Sequence, residues 1–363
     1  MLRLTVWLGG CALGALVLGG CNSSSSTDGT GGTGGTGGAA PAGLIAYAKA
    51  PNDLDPPQVF TIAPDGTGER QLTQPAGSDW PTDANEQPVF SPDGQHIVFA
   101  SGRGFSGGGG GGVPNPTLRT LYVMAPDGTG PVKLTGNDPM HCSEHSPRYS
   151  HDGQWIVFSL NCDDDAVTPF VDKIYRIHAD GTGQQRLASA DPISTADNNV
   201  VDPAWSFDDQ TVYCSVLPGG TSSDLYAIDI AAGTSTKLTD QAASSRYIEG
   251  APMALSGGDI VYATIADMMQ PVAAPQMDRM HADGSGHSVL FAIDVLAPPS
   301  TLAGLAHDYD FALTPDEQSF VFASYADANA STPTSILATE ALDGTSGRTI
   351  GPPGLGLATP SWH

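Results

Sequence analysis

The residues PVFSPDGQHIVFA (88–100) and LYVMAPDGTGPVKLT (121–135) contain four short apolar segments with turn sequences between them. Pro92-Asp93-Gly94 separates the first two segments, and Asp127-Gly128 separates the last two. Proline fixes φ near the value that a turn needs and glycine accepts a positive φ, so both sequences favour tight hairpin turns. Residues 88–135 therefore predict one unit of four short antiparallel strands.

The same unit recurs along the chain at an interval of roughly fifty to sixty residues, which suits a four-stranded blade with long connecting loops. An Asp-Gly turn followed by Thr or Ser begins at five positions, and Ala232-Gly233-Thr234 is a degenerate sixth copy; the five are Asp65, Asp127, Asp180, Asp283 and Asp343. Six copies predict an all-β fold, a six-bladed β-propeller of four-stranded antiparallel blades.

The first copy begins directly at Leu44-Ile45-Ala46-Tyr47 and has no inner strand of its own. The last residues, Thr359-Pro360-Ser361-Trp362-His363, match the inner strand Asp202-Pro203-Ala204-Trp205-Ser206 of another copy. We therefore expect the C-terminal strand to complete the first blade and to close the ring, which removes open sheet edges.

The repeated Ser-Pro-Asp-Gly, Ile-Val-Phe, Leu-Tyr-Val-Met and Asp-Gly-Thr-Gly sequences resemble the TolB-type propeller repeat, and the resemblance covers residues 44–363. It implies that the inner strands line a central channel and that binding functions gather where the long loops meet. The sequence departs from TolB in its N-terminal segment, which has features of a lipoprotein.

Residues 1–20 contain Arg3 and an apolar run from Leu4 to Leu18, the pattern of a signal peptide. Leu18-Gly19-Gly20-Cys21 resembles a bacterial lipobox, which would make Cys21 the lipidated N-terminus; a plain secretory signal is the alternative. Residues 21–43 are rich in Ser, Gly and Thr and predict a flexible tether. We expect a cell-envelope protein anchored to the outer membrane, on its periplasmic side or at the cell surface.

The chain carries 39 Asp and Glu residues against 14 Lys and Arg residues, a formal net charge of −25. Such a charge repels phosphate backbones and anionic headgroups, which argues against nucleic acid and leaves the lipid as the only membrane contact. We expect a monomer whose partner is an envelope protein, a peptide or a glycan.

Polar residues just before the inner strands should meet near the mouth of the channel, and Tyr247 among them is a candidate aromatic anchor. These candidates are Glu86, Glu144, His145, Asp202, Arg246, Tyr247, Glu249, Asp308 and Asp310. Converging carboxylates could bind a basic peptide or hold Ca²⁺. They could equally be solvated or accept hydrogen bonds from strand ends, so no cofactor is predicted.

No residue is predicted to be catalytic. Ser106 fits a Gly-x-Ser-x-Gly pattern, but it opens a glycine-rich loop and not the strand-to-helix turn that a nucleophile needs. His145 and His307 are the histidines near inner strands that could serve the alternative function, a propeller-type polysaccharide lyase with a metal at the channel mouth. The leading prediction is a non-catalytic binding protein.

Cys142 and Cys162 flank one predicted hairpin, and pairing that starts with residues 150 and 154 across its turn brings the two cysteines opposite each other. The envelope is oxidising, so this register favours a disulfide. A β-bulge in the hairpin would break the register and leave two free thiols. Cys214 lies in an apolar strand and is expected to be a buried free thiol.

Overall fold

The structure is a computed structural model that describes residues 43–50, 55–75, 84–103, 118–136, 142–162, 171–187, 198–218, 223–240, 246–266, 276–292, 311–325, 335–343 and 347–363. All regular elements within these ranges are β-strands. Among these residues, no helix has the length and apolar character needed to cross a membrane.

The strands form six antiparallel four-stranded blades, which confirms the predicted propeller. The first three blades contain β1 (Ile45–Ala50), β2 (Gln58–Ile62) and β3 (Arg70–Gln71); β4 (Asn85–Phe90), β5 (Ile97–Ser101), β6 (Thr120–Met124) and β7 (Val132–Lys133); and β8 (Cys142–Tyr149), β9 (Trp155–Cys162), β10 (Lys173–His178) and β11 (Gln185–Arg186).

The other three blades contain β12 (Asn198–Trp205), β13 (Thr211–Pro218), β14 (Asp224–Asp229) and β15 (Thr234–Lys237); β16 (Arg246–Ala254), β17 (Asp259–Ala266), β18 (Gln276–His281) and β19 (Ser288–Ala292); and β20 (Phe311–Leu313), β21 (Ser319–Tyr325), β22 (Ser335–Ala341) and β23 (Gly347–Trp362).

The ring closes through β23, a strand of 16 residues that belongs to two blades. Its first half pairs with β22 as the outer strand of blade 6, from Gly347 to Gly354. Its second half pairs with β1 as the inner strand of blade 1, and Trp362 lies opposite Ile45. The predicted closure by the C-terminal strand is confirmed.

A β-bulge interrupts the inner strands of blades 2, 3 and 4 at the same place in the repeat. Gln87, Ser146 and Asp202 occupy this place with φ values of 53°, 52° and 52°, and each precedes a proline. A left-handed backbone is uncommon in residues other than glycine, and residues before proline ordinarily adopt extended conformations. The bulge therefore requires support from the surrounding blades, and hydrogen bonds between blades 2, 3 and 4 provide it.

The Asp-Gly-Thr-Gly turns need their two glycines for different reasons. In blade 2 the Asp127 carboxylate accepts hydrogen bonds from Thr129 N–H (2.9 Å) and Thr129 Oγ1 (2.6 Å), which fixes the turn. Gly128 has a φ of 81°, and a Cβ there would lie 2.7 Å from the Leu72 carbonyl oxygen of blade 1. Gly130 also has a positive φ but faces open space. The first glycine thus packs neighbouring blades together as well as forming a turn.

The hydrophobic core lies between adjacent blades, because alternate residues of each strand point to opposite neighbours. Between blades 3 and 4, for example, Val157 and Ile174 pack against Trp205, Val212 and Cys214. Cys214 is fully buried and forms no disulfide within the described part of the chain. Burying a large apolar side chain stabilises a fold by about 1.5–3 kcal/mol, so the inter-blade layers hold the ring together.

A disulfide joins Cys142 on β8 to Cys162 on β9, and the two residues are direct partners in the strand register. The register arises differently from the sequence expectation. Ser150 pairs with Trp155 across the turn, one residue further than expected. The bulge between His145 and Arg148 then shifts the register by one residue, and the two departures cancel.

Candidate functional site

The two faces of the ring differ in how they connect the strands. The tight turns of the described residues lie on one face, here called the turn face, at residues 63–67, 91–96, 125–129, 150–155, 178–182, 206–211, 229–234, 255–259, 281–285 and 314–319. The opposite ends of the strands form the other face, here called the loop face; it contains strand ends such as Asn85, Ser101, Thr120, Cys142 and Cys162. Glu86, Glu144 and His145 lie toward the loop-face ends of their inner strands, and Asp202 lies at the bulge of its strand.

Glu86 lies on β4 and forms an ion pair within blade 2. Its Oε2 accepts a hydrogen bond from Arg119 Nε at 3.0 Å, and 34% of the Glu86 side chain remains exposed. Arg119 also donates to the Leu118 carbonyl oxygen. Glu86 is therefore a partly exposed side chain of the loop face with its charge locally compensated.

Glu144 differs from the expectation of a residue at the channel mouth, because its side chain is buried. Its Oε2 accepts hydrogen bonds from Leu121 N–H (2.8 Å) and from Thr135 Oγ1. Leu121 and Thr135 belong to blade 2, whereas Glu144 belongs to blade 3. The carboxylate thus joins two blades and is not available to contact a partner at the loop face.

His145 forms a nearly buried pair with Asp172, in which His145 Nε2 lies 2.7 Å from Asp172 Oδ1. Asn161 Nδ2 donates to the same carboxylate oxygen at 2.8 Å. Burial alone would lower the pKa of His145, but the charge of Asp172, with smaller contributions from Asp202 and Glu144, outweighs burial and raises that pKa. The pair therefore stabilises a charged imidazole at the loop-face end of blade 3.

Asp202 lies at the inner-strand bulge of blade 4 and continues a chain of hydrogen bonds across three blades. Ser146 N–H of blade 3 donates to Gln87 Oε1 of blade 2 at 2.8 Å. Ser146 Oγ donates to Asp202 Oδ1 at 2.7 Å. These two bonds connect the three left-handed residues to one another, which supplies the support that their backbone conformation requires.

The remaining predicted residues are only partly placed. Arg246, Tyr247 and Glu249 lie on β16, where their backbones pair with Ala266, Ile265 and Ala263 of β17. Asp308 and Asp310 lie outside the described residues, as do Ser106 and His307. The structure thus places Glu86, Glu144 and His145 toward the loop-face ends of blades 2 and 3, and Asp202 at the inner-strand bulge of blade 4.

Sequence reasoning missed the partners of these residues, namely Gln87, Arg119, Ser146, Asn161 and Asp172. Asp172 and Arg119 directly precede the third strands of their blades, a position that also lies on the loop face. Asn161 is the last residue but one of β9, at the same face. A search of the ends of all strands, and not only of the inner ones, would have found them.

The turn face carries acidic residues where other repeats have glycine. Asp209 (φ 57°) and Glu317 (φ 53°) occupy the position of Gly94 and Gly153 in their turns. Asp209 accepts hydrogen bonds from the backbones of His151 and Asp152 of blade 3, at 2.8 and 2.9 Å. Glu317 accepts two hydrogen bonds from Ser256 of blade 5. The turn face is thus internally bonded between blades 3 and 4 and between blades 5 and 6.

Within the described residues, no group of three or more His, Cys, Asp or Glu side chains is arranged to hold a metal ion. His145, the described histidine of the predicted channel mouth, is engaged with Asp172. The described part of the loop face therefore offers hydrogen-bonding and ionic contacts and no assembled metal ligand set.

No family model matches the sequence, and no curated protein matches it. Solved structures do resemble the fold. TolB from Acinetobacter baumannii has a TM-score of 0.60 at 16% identity, over 88% of this chain and 66% of that protein. A putative TolB from Agrobacterium tumefaciens has a TM-score of 0.53 at 18% identity, over 88% of this chain and 94% of that protein.

The fold is that of the TolB propeller. A puromycin-hydrolyzing peptidase from Mycobacterium tuberculosis shares the propeller with a TM-score of 0.51 at 11% identity, over 85% of this chain and 43% of the peptidase. The chain thus spans 66% of the first TolB protein and under half of the peptidase. At these identities the likeness concerns the fold alone, since one fold supports unrelated functions.

Proposed function

We propose that the chain is a non-catalytic lipoprotein of the bacterial cell envelope that binds a protein, peptide or glycan partner with the loop face of its propeller. The observation that carries this proposal is the difference between the two faces. The turn face consists of short turns fixed by their own hydrogen bonds. At the loop face, the inner strands are hydrogen-bonded across blades 2, 3 and 4. The stretches of sequence between the strand ends of this face are long and varied.

In the described part of the loop face, the groups that general acid–base chemistry would need are already hydrogen-bonded or ion-paired within the protein. Glu144 is buried between blades, His145 is bonded to Asp172 and Glu86 is paired with Arg119. These contacts favour a rigid platform for binding over a reactive centre, because a general base needs access to a substrate proton. No described residue favours the alternative, a polysaccharide lyase.

Two measurements test the proposal separately. For the anchor, mass spectrometry of the envelope protein should show a diacylglycerol-modified Cys21 in the natural chain and an unmodified N-terminal segment in Cys21→Ser. An unmodified residue in both would refute the lipoprotein assignment.

For the binding face, a photo-crosslinking amino acid is placed in living cells at the exposed loop-face positions Gln74 and Asp240 and at the candidate anchor Tyr247. Matched replacements at Gln95 and Gln210 probe the turn face, and both positions are exposed as well. We expect a discrete adduct from loop-face positions only. Adducts from the turn face alone would move the binding surface to the opposite side. Depolymerisation of an acidic polysaccharide by the purified protein would replace binding by catalysis.

A further inference from the structure

The polypeptide reaches the propeller at the turn face. Leu44 N–H donates to the His363 carbonyl oxygen at 2.7 Å, and His363 N–H donates to the Leu44 carbonyl oxygen at 2.9 Å. Leu44 therefore lies beside the very end of the inner strand of blade 1. The ring of His363 contacts the first hairpin turn of blade 2, because a Cβ on Gly94 would fall 2.1 Å from it. That turn belongs to the turn face, so Gly43 and Leu44, the first described residues, lie at this face.

From this geometry we infer that the tether holds the propeller with its turn face toward the membrane and presents the loop face to molecules away from the bilayer. The inference rests on the proposed lipid anchor at Cys21. It narrows the proposed partner to a soluble or wall-attached protein, peptide or glycan, because lipids and the buried parts of membrane proteins lie on the other side of the ring.

The dimensions favour this orientation. A blade strand of eight residues such as β9 spans about 26 Å at roughly 3.3 Å per residue, which sets the distance between the two faces. A Gly-rich tether of the length of residues 21–43 has a root-mean-square end-to-end distance of about 24–29 Å. With the loop face toward the membrane, the tether would have to cover the full height of the ring before it reached the bilayer. That requirement would use the whole root-mean-square length of the tether, whereas the opposite orientation needs no such extension and leaves the tether more conformational freedom.

The charge of the turn face affects its distance from the bilayer. Hydrogen bonds from Ser91 Oγ and Gln95 N–H lower the pKa of Asp93, and equivalent bonds lower the pKa of Asp127 and Asp208. These carboxylates stay ionised well into the acidic range. Like charges repel, so the turn face should stand off from an anionic bilayer at low ionic strength instead of docking on it.

The test uses the full lipidated chain in vesicles, with a donor dye on one introduced cysteine and an acceptor dye on the lipid headgroups. Gln95→Cys in blade 2 and Gln210→Cys in blade 4 label the turn face, and Gln74→Cys labels the loop face; all three glutamines are exposed. Cys142 and Cys162 form the disulfide and Cys214 is buried, so they should not react. We expect energy transfer from both turn-face positions to exceed that from Gln74→Cys by about twofold or more, given the separation of the faces.

Two comparisons make the result specific. Lengthening the tether with further Gly-Thr-Gly repeats should reduce the difference between faces. Replacing phosphatidylcholine by a mixture containing phosphatidylglycerol should lower transfer from the turn face at low salt, and added salt should restore it.

The outcomes separate the inference from the proposed function. If Cys21→Ser floats with vesicles as well as the natural chain does, the lipid anchor itself fails, and the orientation fails with it. If the natural chain floats through Cys21 but Gln74→Cys gives transfer equal to or above that of the turn-face positions, the anchor stands and the orientation is overturned.

Discussion

Replacing Glu144 by alanine should destabilise the propeller far more than replacing Glu86 by alanine, although the sequence predicts both as partner-binding residues at the channel mouth. Glu144 is 1% exposed and its carboxylate bonds Leu121 N–H and Thr135 Oγ1 of the neighbouring blade. In Glu144→Ala these two buried donors lose an acceptor. An unsatisfied buried group costs about 1–3 kcal/mol, so we expect a loss of roughly 2–5 kcal/mol in the free energy of unfolding.

Glu86 provides the matched comparison, since its ion pair with Arg119 is partly exposed. Pairs of this kind contribute at most about 1 kcal/mol. Arg119 in Glu86→Ala keeps its bond to the Leu118 carbonyl oxygen and its access to water. Glu144→Gln, which keeps an acceptor oxygen, should fall between the two alanine variants.

Urea unfolding followed by tryptophan fluorescence measures all three variants, with the slope of the transition as a check that the denatured state is unchanged. Equal stability of Glu144→Ala and Glu86→Ala would refute the inter-blade role of Glu144. The same result would make Glu144 a candidate for partner binding again. A pull-down comparison that combined these substitutions would confuse loss of binding with loss of folding.

Three further outcomes follow from local geometry. The folded state raises the pKa of His145, so the protonated imidazole stabilises the fold. This contribution to the free energy of unfolding is complete below the ordinary pKa and is lost as the pH rises through the raised pKa, and His145→Gln should remove this loss of stability in unfolding titrations above pH 6.5. Gly130→Ala should lower the stability of the fold by about 1–2 kcal/mol, because its backbone is left-handed. Gly128→Ala should lower it clearly more, because the added Cβ would also meet the Leu72 carbonyl oxygen, and equal melting temperatures of the two variants would contradict that packing. Asp209→Ala should destabilise more than Asp209→Gly, since alanine loses the carboxylate and keeps the strain; the reverse order in thermal unfolding would show that the strain is negligible.

The ring and its closure could be predicted because their causes are local and repeated. Each Asp-Gly or Pro-Asp-Gly turn fixes a hairpin by its own φ preferences, and six copies leave few alternatives to a propeller. The match between residues 359–363 and residues 202–206 located the closing strand before any pairing was known. What the repeat did not contain was the continuity of β23, which serves blade 6 and blade 1 without a break.

The inner-strand bulges could not be predicted, since they contradict local preference. Gln87, Ser146 and Asp202 each precede proline, a position that favours an extended backbone. Their left-handed conformation depends on hydrogen bonds from neighbouring blades, which no single repeat reveals. The cysteine register shows the consequence, because the expected facing of Cys142 and Cys162 was reached through a longer turn and a bulge that offset each other.

The partners of the loop-face carboxylates bear on what the protein can bind. Ion pairs occur on both faces: on the turn face Asp93 and Asp127 accept from hydroxyl and backbone groups, whereas Asp259 pairs with Arg279 and His281. On the loop face, Glu86 pairs with Arg119 and Asp172 with His145, so positive groups offset these negative charges. A funnel of converging carboxylates would select a cationic partner by charge alone, whereas compensated carboxylates leave selection to the varied sequences of the segments that join the strands. Partner choice at the loop face should then change with the sequence of those segments and respond weakly to salt.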